Sequence, residues 1–212
     1  VLASSIVNYK YNDPSTNNTG FKFLKNYTNG NASLANITKK IGSQADGVCY
    51  DFALAYGVYI IKNGNGNFNN AKCGNSGRYP APGYGGSAYG ANGSGQYDNS
   101  VKGYNQMYKK IKSTIDSNLP IIIRVDNSRA GGSGTHFITI IGYKDVTINS
   151  WNDFKKSVWV LDPAYLEGGQ VMSKPLSSFA YDFYNNPDEP SRLFWWNKAS
   201  DAKMPKWCDG QY

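Results

Sequence analysis

Apolar residues cluster in five patterned stretches of this chain, separated by long polar ones. Between Asp46 and Gly64, the positions Cys49, Phe52, Ala53, Tyr56, Val58, Tyr59 and Ile60 make a broad apolar face, and Asp46 is placed to cap its start. This predicts a helix. Tyr104, Met107, Tyr108, Ile111 and Ile115 fall at i, i+3, i+4, i+7 and i+11, which predicts a second helix ending at Asn118-Leu119-Pro120. Three apolar runs then read as strands: Leu119–Val125, Phe137–Tyr143 and Val158–Leu161. The first shows no alternation, so both its faces should be buried. The second and third follow one another, so they should pair as an antiparallel hairpin.

The polar stretches set the expected organisation. Residues 1–43 are rich in Asn, Thr and Lys, with apolar islands at Phe21–Leu24 and Leu34–Ile37. They read as an irregular N-terminal segment with one or two short elements. Residues 44–212 then form one α+β domain, interrupted at 62–100 by a Gly/Tyr/Asn-rich insertion without periodicity. Arg129–Gly134 reads as a flexible linker. The Trp195, Trp196 and Trp207 cluster reads as a docked tail or as a platform for glycans.

Composition narrows the classes of function. With 17% charged and 40% hydrophobic residues, the chain is not disordered by charge. Its apolar runs fall far short of the roughly 20 residues of a spanning helix. Its 23 Gly and 17 Tyr, interspersed with Asn and Ser, make a chain that is polar without being charged, as expected of a secreted or cell-surface protein. The net charge of +7 is scattered, with no Arg-rich stripe, so no nucleic-acid partner is expected; an anionic cell wall or surface would suit it as well. No phosphate-cradling loop and no cluster with metal-ligand spacing occurs, so neither a cofactor nor a metal is expected.

The candidate chemistry starts from a single histidine. His136 follows a Gly-rich loop and opens an apolar strand, where a polar side chain can face a cleft. Cys49 opens the first predicted helix, whose positive dipole end favours a thiolate. That setting singles out Cys49 as the free thiol of three, leaving Cys73 and Cys208 either bridged or as two unpaired thiols. Asp162 follows the strand Val158–Leu161, and hairpin pairing would bring its carboxylate to the His136 ring.

Cys49, His136 and Asp162, in that order, resemble the papain-like cysteine peptidase superfamily, and within it the C39-like branch. Three stretches carry the resemblance. They are Gln44-Ala45-Asp46-Gly47-Val48-Cys49; Leu119-Pro120-Ile121-Ile122-Ile123 leading to Gly134-Thr135-His136-Phe137-Ile138-Thr139-Ile140-Ile141-Gly142-Tyr143; and Val158-Trp159-Val160-Leu161-Asp162-Pro163. The resemblance implies a nucleophile helix packed on an antiparallel β-sheet, and hydrolysis of peptide or protein substrates. It makes Cys49 the nucleophile, His136 the general base and then acid, and Asp162 the group that orients the imidazole. The Gln44 side-chain amide would donate to an oxyanion hole. Asn149, in Asn149-Ser150-Trp151, is similar to the papain Asn-Ser-Trp motif and is a rival for the third position. Gly47-Val48-Cys49-Tyr50-Asp51-Phe52-Ala53 is also similar to the transglutaminase-like core, which implies acyl transfer or glutamine deamidation as an alternative. A non-catalytic wall- or glycan-binding module is the other alternative.

Overall fold

The computed structural model describes residues 20–44, 49–66 and 91–204. The chain begins with β1 (Lys22–Phe23), α1 (Lys25–Thr28), α2 (Leu34–Lys40) and α3 (Cys49–Ile61). It continues through β2 (Gly93–Gln96), α4 (Val101–Asp116), β3 (Ile121–Asp126), β4 (His136–Tyr143) and α5 (Trp151–Lys156). The last elements are β5 (Val158–Glu167), β6 (Gln170–Pro175), β7 (Asp182–Phe183) and β8 (Ser191–Trp195). This is an α+β architecture on one antiparallel sheet, with strand order β2-β8-β3-β4-β5-β6, β1 beside β4 and β7 beside β3.

The two predicted helices form, and they differ in kind. In α4, Tyr104, Met107, Ile111 and Ile115 are buried and the opposite side is polar. The Ser100 hydroxyl accepts from the Gly103 N–H at 3.1 Å, and Asn118, at φ 60°, turns the chain towards β3. In α3, by contrast, every residue from Cys49 to Ile60 is buried. Phe52, Ala55, Tyr56 and Tyr59 join one apolar cluster, while Tyr50, Ala53, Leu54 and Val58 join a second with Phe137 and Phe194. A helix apolar all round has to be enclosed on all sides, and here the sheet, the N-terminal elements and the chain after β8 enclose it. The Thr139 hydroxyl of β4 donates to the Ala53 carbonyl at 2.7 Å, and the Trp196 ring fills the space above Gly57. Asp46, expected to cap this helix, lies outside the described residues.

The three predicted strands also form. All eight residues of β4 are buried. The expected hairpin is present, with Thr139 opposite Leu161 and Ile140 opposite Val160. β5 runs on past its predicted end at Leu161 to Glu167, with a register shift against β6 between Asp162 and Leu166. Asp162 therefore lies inside a strand, where sheet pairing overrides the Pro163 that follows it.

Several expected irregular regions are ordered. Within the N-terminal segment, β1 pairs with β4, and Tyr27, Ile37 and Ile41 enter the main core. The Ser33 hydroxyl caps α2 by accepting from the Asn36 N–H at 3.2 Å. The stretch Arg129–Gly134 is no free linker: it takes part in a hydrogen-bonded turn in which Asn127 Oδ1 accepts from the Gly134 N–H at 2.9 Å. Within the 62–100 insertion, Gly93–Gln96 pairs with β8, and residues 67–90 lie outside the described residues. So do Cys73, Cys208 and Trp207, and with them the expected bridge. No helix among the described residues is long and apolar enough to cross a membrane.

Candidate active site

The β4–β5 hairpin puts the start of one strand beside a polar position of the other. His136 opens β4 opposite Val125, and its ring comes to rest against Asp162 of β5. His136 Nε2 and Asp162 Oδ1 are 2.7 Å apart, with the two side chains 3% and 0% exposed. A carboxylate this deep needs its oxygens satisfied. Oδ1 also accepts from the Ala164 N–H at 2.9 Å, and Oδ2 accepts from the Tyr181 hydroxyl at 2.5 Å.

Cys49 reaches the same imidazole from α3. Its thiol acts on the imidazole and helps to raise the His136 pKa, and with Nε2 taken by Asp162 the ring nitrogen left to face it is Nδ1. Cys49 is buried and free of any disulfide. Burial works against a charged imidazole here, but the hydrogen bonds and charges of Asp162 and Cys49 outweigh it, and the His136 pKa is pushed up to about 10.

Gln44 is tied to the same place through its backbone. Its N–H donates to the carbonyl of Pro163, the residue after Asp162, at 2.8 Å. Its side-chain Oε1 is buried with no hydrogen-bond partner among the described residues. A half-turn of an amide exchanges its oxygen and nitrogen ends, so the same position can present an N–H donor.

Of the two candidates for the third position, Asp162 is the one at hydrogen-bonding distance from His136. Asn149 is exposed in the turn before α5, and its N–H donates to Asp153 Oδ2 at 3.0 Å. Its neighbour Trp151 does reach the site, indirectly: the indole N–H donates to the Tyr181 carbonyl at 3.0 Å. Tyr181 escaped the sequence reading altogether. It is one of 17 tyrosines, and no local pattern distinguishes it. Two tryptophans of the tail are engaged within the protein: Trp196 is 1% exposed, and Trp195 lies against Gly93 and Gly95 with the Lys110 ammonium 4.0 Å from its ring centre. Among the described residues no cluster of side chains could hold a metal ion.

A buried Cys–His–Asp constellation on an α+β scaffold is the kind of site found in thiol hydrolases, and comparison with known families agrees at that level. The model of the Peptidase_C39 like family matches residues 4–188, which is most of the chain. The chain belongs to that family, and is thereby a hydrolase of the cysteine-peptidase type, with peptides or proteins as its class of substrate. Neither a curated protein nor a solved structure gives a match.

Proposed function

We propose that the chain is a papain-like cysteine peptidase with Cys49 as nucleophile, His136 as general base and acid, Asp162 as orienting carboxylate and Gln44 as oxyanion donor. One observation carries the reading: a buried imidazole held 2.7 Å from a carboxylate through one ring nitrogen, with the Cys49 thiol at the start of α3 acting on the same ring. A satisfied core histidine needs no thiol partner, whereas a nucleophile–base–orienter chain requires this order of contacts.

The steps follow from the geometry. The Cys49 thiolate, paired with the His136 imidazolium, attacks the scissile carbonyl carbon, and the C=O π electrons move to oxygen. The Cys49 backbone N–H and the Gln44 side-chain amide donate to that oxyanion. As the tetrahedral intermediate collapses, the C–N bond breaks and His136 passes its proton to the departing nitrogen. The acyl group now sits on Cys49 as a thioester. A water attacks it and yields a proton to His136; the C–S bond then breaks, releasing the acid and restoring the ion pair. Through both halves Asp162 holds the imidazole in one orientation. The chain's uncharged polar composition supports a secreted or cell-surface setting for this activity.

The test is to incubate the purified chain and its Cys49→Ala variant with an unfolded protein such as casein, then count new N-termini and released ammonia. New N-termini that depend on Cys49 are expected. Ammonia without cleavage would reassign the same residues to glutamine deamidation. Cleavage that survives in Cys49→Ala would reject this site.

A further inference from the structure

We propose that Tyr181 is a positioning residue of this site, whose hydroxyl locks the Asp162 carboxylate in the rotamer that holds His136 against Cys49. The inference rests on the Cys49–His136–Asp162 reading above and deepens it. Asp162 Oδ1 serves both His136 and the Ala164 N–H, whereas the hydrogen bond on Oδ2 comes from Tyr181. A carboxylate can rotate about its last side-chain bond, where the torsional preference is broad. Without the Tyr181 hydroxyl, Oδ2 loses its hydrogen bond, and only the Ala164 N–H and His136 itself hold the carboxylate in this rotamer. Where the carboxylate turns, the imidazolium loses its partner, and the thiolate its counter-ion.

Tyr181 is itself held on three sides, as a residue that sets geometry has to be. Its ring stacks on Phe179 with centroids 5.1 Å apart and planes 6° from parallel. It also meets the His136 ring edge-on at 5.4 Å, covering the imidazole, and is 5% exposed. Its carbonyl accepts from the Trp151 indole, and the Phe179 carbonyl accepts from the Lys155 ammonium at 2.5 Å. Helix α5 thus anchors the segment that carries Tyr181. The titratable groups acting on this centre are Cys49 and Tyr56 from α3, Asp162 and Tyr165 from β5, and Tyr181. Tyr56 spends its hydroxyl on the Gly42 carbonyl at 2.5 Å, so it does not substitute for Tyr181.

The experiment measures the rate of iodoacetamide alkylation at Cys49 across pH 5–10, by peptide mass mapping, together with the melting temperature. It compares wild type, His136→Ala, Tyr181→Phe and Tyr181→Leu. Tyr181→Phe keeps the ring and its stacking while removing only the hydroxyl. We expect wild type to react fast at pH 6 and His136→Ala to lose this. Tyr181→Phe should react about tenfold more slowly than wild type at pH 6, the size of effect a hydrogen bond to a charged group supports. Its profile should shift towards that of His136→Ala in a protein that still melts cooperatively, a few degrees lower because Oδ2 loses its buried hydrogen bond, and Tyr181→Leu should shift further. A Tyr181→Phe profile superimposed on wild type, with His136→Ala still distinct, overturns the role of Tyr181 and leaves the triad standing. A wild-type profile no different from His136→Ala overturns the triad, and this inference with it.

Discussion

Two buried polar clusters adjoin at one end of strands β3 and β4, and only one of them carries the proposed catalytic residues. In the first, His136, Asp162 and Tyr181 form a chain of hydrogen bonds that ends at Cys49. In the second, one residue away across the β3–β4 ladder, Arg124 pairs with Glu189 at 2.5 Å and donates to the Tyr184 hydroxyl at 3.1 Å and the Thr135 hydroxyl at 2.7 Å. Arg124 and His136 are equally hidden, each 3% exposed. Burial and ion pairing therefore do not separate the two. What does is the cation. A guanidinium keeps its protons at any physiological pH, and Arg124 clamps the segment before His136 to the 184–189 loop. An imidazole can both take up and release a proton, and this one has its pKa pushed up to about 10 by Asp162 and the Cys49 thiol.

The widest gap between the clusters should appear on removing the nucleophile. Cys49→Ala is expected to lower kcat on a cleaved peptide by on the order of 10⁴-fold or more, with the circular dichroism spectrum unchanged. Asp162→Asn should cost roughly 10²–10⁴-fold in kcat, with KM moving less, because the imidazole loses its orienting partner. The other cluster should answer in stability instead. Arg124→Ala removes one partner of a buried pair and its packing on the Tyr184 ring, so unfolding in urea should show a loss of about 2–4 kcal/mol. The pH dependence of Cys49 alkylation should stay that of the wild type, and a changed profile would mean the clusters are one unit.

A pH titration sharpens the contrast. The folded pKa of His136 is raised from 6.5 to about 10, so the charged imidazole contributes its full stability below pH 6.5 and loses it as the pH climbs through about 10. The melting temperature of wild type should fall across that window more steeply than that of His136→Gln. The smallest effect is expected for Glu189→Gln, which keeps an acceptor for Arg124 and Tyr184 but drops a charge on a residue 35% exposed; unfolding in urea should show a loss of about 1 kcal/mol, the scale of a single weakened hydrogen bond.

Much of the scaffold was legible because local pattern and final environment agree. The spacing from Tyr104 to Ile115 matches a helix with one buried side, and the runs in β3 and β4 match strands covered on both faces. Where pattern and environment part, reading failed. Helix α3 reads as having an apolar face, yet it is enclosed on all sides. β6 was missed because a short strand rich in polar residues shows its partner only after folding: Ser173 becomes buried by accepting from the Trp159 indole at 2.8 Å and meeting the Tyr27 hydroxyl at 2.9 Å. The order Cys49, His136, Asp162 was visible, whereas the choice between Asp162 and Asn149 needed the hairpin register.

By itself, the sequence determined which segments could bury a continuous apolar surface, and it placed a lone histidine and a helix-opening cysteine where such segments begin. Those properties depend on neighbours a few positions apart. The meeting of Asp162 with His136 was expected from hairpin pairing, but only the tertiary structure decided that Tyr181 completes the carboxylate and that Trp151 holds Tyr181 in place. Each of these is a hydrogen bond between residues far apart along the chain, and its partner is chosen by register, by twist and by the exclusion of water from a closed interior. A periodic pattern says which side of an element is buried; it does not say which remote side chain will be waiting there.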